Sequence, residues 1–67
     1  MMDGLWVRID YTNHRGERSK YRILPQEISF MTSKWHDGNQ WILKAYDENK
    51  GEREFAMCDI HSWINLT

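Results

Sequence analysis

Apolar and polar residues alternate along most of this chain, which is the pattern of half-buried β-strands. The first segment with this pattern reads LWVRIDYT, and its apolar face carries Leu5, Val7, Ile9 and Tyr11. Further segments alternate in the same way, and turn residues separate them. We therefore predict five antiparallel strands, at residues 5–12, 17–24, 27–35, 40–47 and 52–57.

Glycines and one proline mark the predicted strand boundaries. Gly16 and Gly51 each close a polar turn, where glycine can take a positive φ. Asp37 followed by Gly38 is a strong hairpin signal between two apolar runs. Pro25 lacks a backbone N–H donor, so we expect it to end the second strand or to mark a sheet edge.

The C-terminal segment departs from this alternation. Ile60, Trp63 and Ile64 are spaced i, i+3 and i+4, which predicts a short helical turn over residues 60–65 that Asp59 could cap. An irregular final strand is the alternative. Five short strands with closely spaced turns are typical of a small antiparallel barrel, and the helical turn would plug one open end.

Aromatic side chains supply the predicted core. Trp41 shares one face of the fourth predicted strand with Leu43 and Ala45, so we expect it to be buried. Phe55 lies on the apolar side of the fifth predicted strand, and we expect it to be buried as well. A small chain needs such rings, because each can bury roughly 150–250 Å².

Length and composition narrow the class of protein. The chain has 67 residues, which predicts a single domain over residues 1–67. Cys58 is the only cysteine, so no internal disulfide can form, and a reducing cytoplasm is the expected location. The N-terminal residues do not have the pattern of a signal peptide, and the apolar runs are too short to predict a membrane span.

Charge is unevenly distributed along the chain. The formal net charge is −1, but residues 8–22 are mainly basic and residues 36–67 are mainly acidic. This distribution argues against a generally basic nucleic-acid-binding protein. It leaves room for a local face that binds anions.

The order of particular residues resembles the WYL domain. That family has a tyrosine ending the first strand, a glycine turn, an arginine or a neighbouring residue before a proline, a Trp-Tyr-Leu strand with a following Ala-Tyr, an Arg-x-Phe and a closing Arg-Ile. The ordered set carries the resemblance over roughly residues 9–60. The matching residues are Tyr11, Gly16, Arg22, Pro25, Trp41, Leu43, Ala45, Tyr46, Arg53, Phe55 and Ile60.

The resemblance implies an SH3-like (Sm-like) five-stranded barrel. WYL domains are usually regulatory modules of bacterial and phage proteins, and are thought to sense nucleic acid or nucleotide-type ligands through basic and aromatic side chains. By this resemblance Arg22, Lys44 and Arg53 are the expected ligand-binding cations, and Tyr46 is the expected stacking surface. Arginine can hold a phosphate bidentately, and an aromatic ring can stack on any base.

Two residues depart from the family pattern at positions that matter for a ligand. Ile42 stands where the family has the middle tyrosine of Trp-Tyr-Leu, so one stacking group is missing. Asp59 stands where the closing Arg-Ile has its arginine, so an anion replaces a cation. Both departures bear on ligand binding more than on the fold.

Two functions follow as expectations. The first is a small WYL-like regulatory or accessory module that binds single-stranded nucleic acid or a nucleotide-type ligand, without a cofactor. The second is a protein-interaction module that uses an aromatic groove on the barrel, with another protein or a second copy as its partner. A contiguous patch of Arg22, Lys44 and Arg53 would favour the first function, and an uncharged groove lined by tryptophan would favour the second.

Catalytic and metal-binding patterns are weak in this sequence. Cys58 and His61 have a C-x-x-H spacing, but no second such pair could complete a tetrahedral zinc site. The sequence shows no serine–histidine–acid order and no glycine-rich phosphate loop. We therefore predict neither an enzyme nor a metal site.

Overall fold

The computed structural model describes residues 5–32 and 38–66, whose strands form one antiparallel sheet. The prediction of an all-β chain with five antiparallel strands is confirmed, although several bounds differ. In order across the sheet the strands run β4-β3-β2-β1-β5. They are β1 (Val7–Thr12), β2 (Arg18–Thr32), β3 (Asn39–Asp47), β4 (Gly51–Ala56) and β5 (Ile60–Asn65), with a 3-10 turn at Met57–Asp59.

Strand β2 joins the second and third predicted strands into one strand of 15 residues. It continues through Pro25, so this proline does not end a strand. Residues 18–23 pair with β1, and residues from Ile23 onward pair with β3. At Pro25 the strand therefore has a neighbour on one side only. The missing N–H donor is tolerated because Pro25 lies at an edge of the sheet. The expectation that Pro25 marks a sheet edge is therefore confirmed.

A β-bulge beside Pro25 changes which side chains of β2 face the core. The pairing with β3 shifts by one residue between Pro25 and Glu27. Pro25 and Ile28 consequently lie on the same face of the sheet although they are three residues apart, because the extra residue of a bulge reverses the alternation. The bulge thus brings Ile28 and Phe30 onto the face that carries the core.

Residues 60–65 form strand β5, so the predicted helical turn is wrong and the alternative of an irregular strand is confirmed. β5 pairs with the free edge of β1, and the pairing shifts between Tyr11 and Asp10. Ile60 lies opposite Tyr11 and Trp63 lies opposite Ile9, so both face the core side. His61 is the extra residue of this bulge, so Ile60 and Trp63 share a face although they are three residues apart. That spacing is the one that had predicted a helical turn.

The two ends of the sheet approach each other across the core, but the sheet is not closed into a barrel. Tyr11 on β1 contacts Phe55 on β4 edge to face, with 4.9 Å between ring centroids. β3 and β2 lie between these strands in the sheet, so the sheet must curl strongly. The outermost strands β4 and β5 do not pair with each other over the described residues. The predicted closure is therefore not observed.

One face of the sheet, the core-side face, carries the hydrophobic core, and the opposite face is called the outer face below. Phe55 is fully buried, as predicted. The buried cluster consists of Val7, Ile9, Tyr11, Ile23, Leu43, Ala45 and Phe55. Within residues 5–32 and 38–66, no helix is long and apolar enough to cross a membrane.

Trp41 is 57% exposed, so the prediction that it fills the core is wrong. It does lie on the core-side face with Leu43, as the alternation indicated. Strand β4 pairs with β3 only from Ile42 to Asp47, and β1 begins opposite Ile23 of β2. The β2–β3 hairpin therefore extends beyond its neighbours, and among the described strands no second layer covers Trp41 from the core side. The predicted Asp37–Gly38 turn falls partly on residues 33–37, outside the described residues.

The hydroxyl group of Tyr11 joins the two ends of the curled sheet. The backbone N–H of Ala56 donates to this hydroxyl oxygen at 3.1 Å. Burial raises the pKa of Tyr11, and the hydrogen bond from Ala56 opposes that rise only in part. Because the folded state keeps the phenol protonated, its ionisation favours unfolding.

We expect alkaline pH to destabilise the chain through Tyr11. This contribution to stability is fully present below the unfolded tyrosine pKa of about 10 and is lost as the pH rises through the higher folded pKa. Urea unfolding across this range should show a falling free energy of unfolding. The Tyr11→Phe variant should fall less steeply, whereas Tyr46→Phe, which removes an exposed phenol, serves as the control. Equal slopes in wild type and Tyr11→Phe would refute the assignment.

Candidate anion-binding site

Two turns meet at one end of the sheet and line an open cleft of about 400 Å³. One is the β1–β2 turn, residues 13–17, and the other is the β3–β4 turn, residues 48–50. Alternate turns of an antiparallel meander lie at the same end of the sheet, which brings these two together. The residues that line the cleft are Asn13, His14, Arg15, Glu17, Lys50 and Arg53.

Arg53 forms the inner wall of this cleft, which we call the Arg53 cleft. It pairs with Ala45 and therefore lies on the core-side face, unlike its neighbours along β4. Its guanidinium lies over the rings of Tyr21 and Phe55, 4.9 Å from each centroid. Its side chain is only 23% exposed. Contacts with two rings fix the orientation of this cation before any ligand arrives.

Asp47 forms a partly buried ion pair with Arg53 and accepts a hydrogen bond within the β3–β4 turn. This carboxylate is buried, and its Oδ2 accepts a hydrogen bond from Nη1 of Arg53 at 3.1 Å. Its Oδ1 accepts a hydrogen bond from the backbone N–H of Asn49 at 2.8 Å. Gly51 then takes a φ of 79°, which other residues adopt only with strain. One side chain thus positions both Arg53 and the turn that carries Lys50.

Asn13 organises the turn on the other side of the cleft. Its Oδ1 accepts hydrogen bonds from the backbone N–H of Arg15 at 2.9 Å and of Glu17 at 3.0 Å. Such side-chain-to-backbone bonds stabilise tight turns and are the reason asparagine is common there. Gly16 supplies the positive φ that the turn needs, at 81°. The turn is therefore well defined and presents Arg15 to the cleft.

Positive charge exceeds negative charge among the lining residues of the Arg53 cleft. Arg15, Lys50 and Arg53 are cations, and Glu17 is the one acid among the lining residues described. The buried Asp47 carboxylate behind Arg53 adds a second negative charge, so three positive charges against two leave an excess of one. The Glu17 carboxylate accepts a hydrogen bond from Nδ2 of Asn13 at 3.2 Å, which partly satisfies it. An arrangement of cations around a concave surface attracts anions and can hold a phosphate through several N–H donors.

The structure does not bring the four expected ligand-binding residues together. Arg22, Lys44 and Tyr46 lie on the outer face, because they alternate with buried neighbours, whereas Arg53 lies on the core-side face. The Arg22 guanidinium lies 5.3 Å from the ring centroid of Trp6. The contiguous patch of Arg22, Lys44 and Arg53 is therefore not formed.

The outer-face cations also have acidic neighbours. Nε of Arg22 lies 3.8 Å from a carboxylate oxygen of Glu48. Lys44 is paired across the sheet with Glu27 on one side and with Glu54 on the other. These neighbours reduce the positive potential that the outer face can offer to an anion.

From the sequence, the cleft residues of the two turns were predicted only to form turns. Asn13, Arg15 and Lys50 each stand in a short polar segment next to a glycine, where composition alone indicates a turn. The signal that could have found them is topological, since alternate turns of a meander share one end of the sheet. Arg53, by contrast, was expected from the family resemblance.

Cys58 and His61, the pair with C-x-x-H spacing, have different neighbours. Sγ of Cys58 donates to Oε1 of Gln40 at 3.3 Å, and Nε2 of His61 lies 2.7 Å from Oγ1 of Thr12. Among the described residues, no group of three or more His, Cys, Asp or Glu side chains could hold a metal ion. Asp59, where the family has a cation, lies in the 3-10 turn and its charge contributes to the raised pKa of Tyr11.

A second surface of interest lies on β2 and β3, at the end of the β2–β3 hairpin that is farther from the Arg53 cleft. Ile28, Phe30 and Trp41, which we call the apolar strip, share the core-side face and are 52%, 58% and 57% exposed. The rings of Phe30 and Trp41 meet edge to face, with 5.3 Å between centroids. Neighbouring apolar side chains that are this exposed are typical of interaction surfaces.

No protein-family model, curated protein or solved structure matches this chain.

Proposed function

We propose that this chain is a non-enzymatic binding module that holds a phosphate-bearing ligand in the Arg53 cleft. The ligand class is a nucleotide or a short stretch of single-stranded nucleic acid, as the resemblance to the WYL domain implies. The observation that carries the proposal is the convergence of Arg15, Lys50 and Arg53, from two turns and one strand, on one cleft.

Arg53 is preorganised for this role. The guanidinium group has five N–H donors, and one of them donates to Asp47. The other donors are not engaged in hydrogen bonds among the described residues, so they are available to a phosphate. Because the two rings beneath the guanidinium already hold it, little conformational entropy is lost on binding, and preorganisation of this kind increases affinity.

The size of the cleft suits the same ligand class. A volume of about 400 Å³ lies in the range of roughly 300–1,000 Å³ that is usual for small-molecule sites. The cleft is open, so a chain of nucleotides could pass through it. The net formal charge of −1 makes a long, purely electrostatic nucleic-acid interface less plausible than a local phosphate site.

We further infer that the curled sheet is an open form of the SH3-like (Sm-like) barrel that the family resemblance implies. Support comes from the long β2, which bends at its bulge and pairs with a different strand in each half. The contact of Tyr11 with Phe55 across the core is the second support. A regulatory or accessory role in a bacterium or phage belongs to the same proposal.

Removal of the two turn cations tests the ligand proposal. A short oligothymidine, titrated by NMR at low salt, should shift the amide signals of residues 13–17 and 48–53. The Arg15→Ala/Lys50→Ala double variant should bind about tenfold more weakly, because two exposed charge contacts of up to about 1 kcal/mol each are lost. Its salt slope should fall by roughly one for each lost phosphate contact. Both substitutions are on exposed turns, so the fold should persist.

The matched control removes two cations from the outer face. Arg22→Ala/Lys44→Ala changes the net charge by the same amount and should leave the affinity for the oligothymidine nearly unchanged. Greater weakening by the control than by the cleft variant would move the site to the outer face. Absence of salt-sensitive binding in the wild-type chain would refute the ligand proposal.

The second candidate function is a protein-interaction module. It rests on the apolar strip, whose tryptophan and phenylalanine are exposed and uncharged. The strip is uncharged and contains one tryptophan, but it is an exposed face and not the tryptophan-lined groove that the sequence led us to expect. It lies at the opposite end of β3 from the Arg53 cleft, so the two functions do not compete for the same residues.

A further inference from the structure

The apolar strip lies next to an edge of the sheet that no other strand covers within residues 5–32 and 38–66. In β2, residues 27–32 pair with β3, and no other described strand pairs with them. Alternate backbone N–H and C=O groups of this segment therefore point away from β3. An open edge of this kind is a template for pairing with another strand.

This edge lacks the residues that usually protect edge strands. Between Ile28 and Thr32 the sequence reads ISFMT, without a charge or a proline. The bulge and Pro25 protect only its beginning. The edge strand β4, by comparison, carries Glu52 and Glu54 on its outer face. Charged side chains and prolines discourage edge-to-edge association, so the segment from Ile28 to Thr32 is open to it.

We propose that a second copy of this chain pairs with this edge, so that β2 of one copy lies antiparallel to β2 of the other. A two-fold axis perpendicular to the sheet at Ser29 keeps the core-side faces of both copies on the same side. It places Phe30 of each copy opposite Ile28 of the other. Aromatic residues opposite β-branched residues are favourable cross-strand pairs.

The same arrangement covers the flanks of Ile28 and Phe30, because each contacts the other residue of the second copy across the new pair of strands. The four-stranded platform β3-β2-β2-β3 would align both strips into one continuous apolar surface on the core-side face. Pairing of identical strands about a two-fold axis is self-complementary, which is why closed dimers are the commonest homo-oligomers. A second copy supplies hydrogen-bond partners for the unpaired backbone groups of β2 and apolar side chains opposite Ile28 and Phe30. A nucleic acid is less suited to this surface, because the strip contains no cation.

The expected association is weak and depends on concentration. The strip exposes on the order of a few hundred Å² of apolar surface per copy, and pairing at the β2 edge covers only the part on Ile28 and Phe30 that faces the other copy. Standard stable interfaces bury about 800 Å² per partner. We therefore expect a monomer–dimer equilibrium in the micromolar to millimolar range, visible by sedimentation equilibrium, with the oligothymidine absent so that the ligand proposal is not involved.

Two lysine substitutions locate the interface. Phe30→Lys places a charge on the proposed edge and should shift the equilibrium to monomer, weakening association by at least tenfold. Ile64→Lys places the same charge at an exposed position of β5 and should leave the dimer intact. Both side chains are exposed, so both variants should fold, and circular dichroism checks this. Dissociation by Ile64→Lys but not by Phe30→Lys would overturn the proposal, as would a wild-type chain that stays monomeric at millimolar concentration.

A cysteine on the proposed axis tests the register. In a Cys58→Ser background, Ser29→Cys should form an intermolecular disulfide with oxidised glutathione, because each thiol lies opposite its symmetry mate. Ser62→Cys on β5, in the same background, should remain largely unlinked. Efficient cross-linking at residue 62 and none at residue 29 would refute the β2 interface, independently of any result on the Arg53 cleft.

Discussion

Phe55→Ala is expected to unfold this chain at room temperature or close to it. Phe55 is fully buried and contacts the rings of Tyr11 and Tyr21. Removal of a buried phenylalanine costs about 3–5 kcal/mol, from lost transfer free energy and from the cavity left behind. A chain of this length has a total stability of only about 3–10 kcal/mol, so the loss is a large part of it.

Thermal and urea unfolding followed by circular dichroism measure this loss. At roughly 4–8 °C per kcal/mol, the melting temperature should fall by more than about 12 °C. Phe30→Ala is the matched control, because Phe30 is the same residue on the same face of the sheet but 58% exposed. It should change stability by about 1 kcal/mol at most. Similar effects of the two variants would show that the core does not centre on Phe55.

Asp47→Ala should cause the second-largest loss of stability. The substitution leaves the backbone N–H of Asn49 without its acceptor and the Arg53 guanidinium without its carboxylate partner. Loss of a partner from a buried pair costs about 3–5 kcal/mol, and we expect about 2–3 kcal/mol here because the Arg53 side chain retains some contact with water. Urea unfolding at neutral pH measures the difference.

Asp47→Asn separates the two contributions of this residue. Its side-chain oxygen can still accept from the N–H of Asn49, but the charge opposite Arg53 is gone. We expect a loss about half that of Asp47→Ala. A cost below about 0.5 kcal/mol for Asp47→Ala would mean that Asp47 does not organise the turn. In that case the preorganisation of Arg53 would have to come from the two rings alone.

The alternation of apolar residues was enough to predict an all-β antiparallel chain and most strand positions, but not whether the sheet closes into a barrel. A strand that covers a core on one face must place apolar side chains at every second residue, so its period is visible without coordinates. The turns at Gly16 and Gly51 were equally readable, because each needs a positive φ that glycine supplies at little cost. Burial of Phe55 followed from the same alternation.

Tertiary structure decided the exceptions to that alternation. The bulges at Gln26 and His61 each insert one residue, so side chains three apart come to share a face. A sequence cannot distinguish this spacing from one turn of a helix. β5 forms because β1 offers it a free edge, and β2 continues past Pro25 because no strand there requires the missing N–H.

Exposure of Trp41 was also a tertiary outcome. Its face was correctly predicted, but burial depends on how far the neighbouring strands extend, and β4 pairs with β3 only up to Ile42. The residue pattern of β3 does not indicate how long the neighbouring strand β4 is. The apolar strip consequently arises from a mismatch in strand lengths.

Part of the candidate site was predictable from the sequence, and the rest depended on the tertiary structure. The family resemblance pointed to Arg53, but whether other cations join it depends on which face each strand presents and which turns meet. Alternation placed Arg22 and Lys44 on the outer face, while the curl of the sheet brought Arg15 and Lys50 to Arg53 from turns that lie far apart along the chain. The sequence by itself determined the all-β class, most strand positions, the turns at Gly16 and Gly51 and one cation of the candidate site. Only the packed sheet determined the cleft, because distances between loops depend on how the strands between them bend.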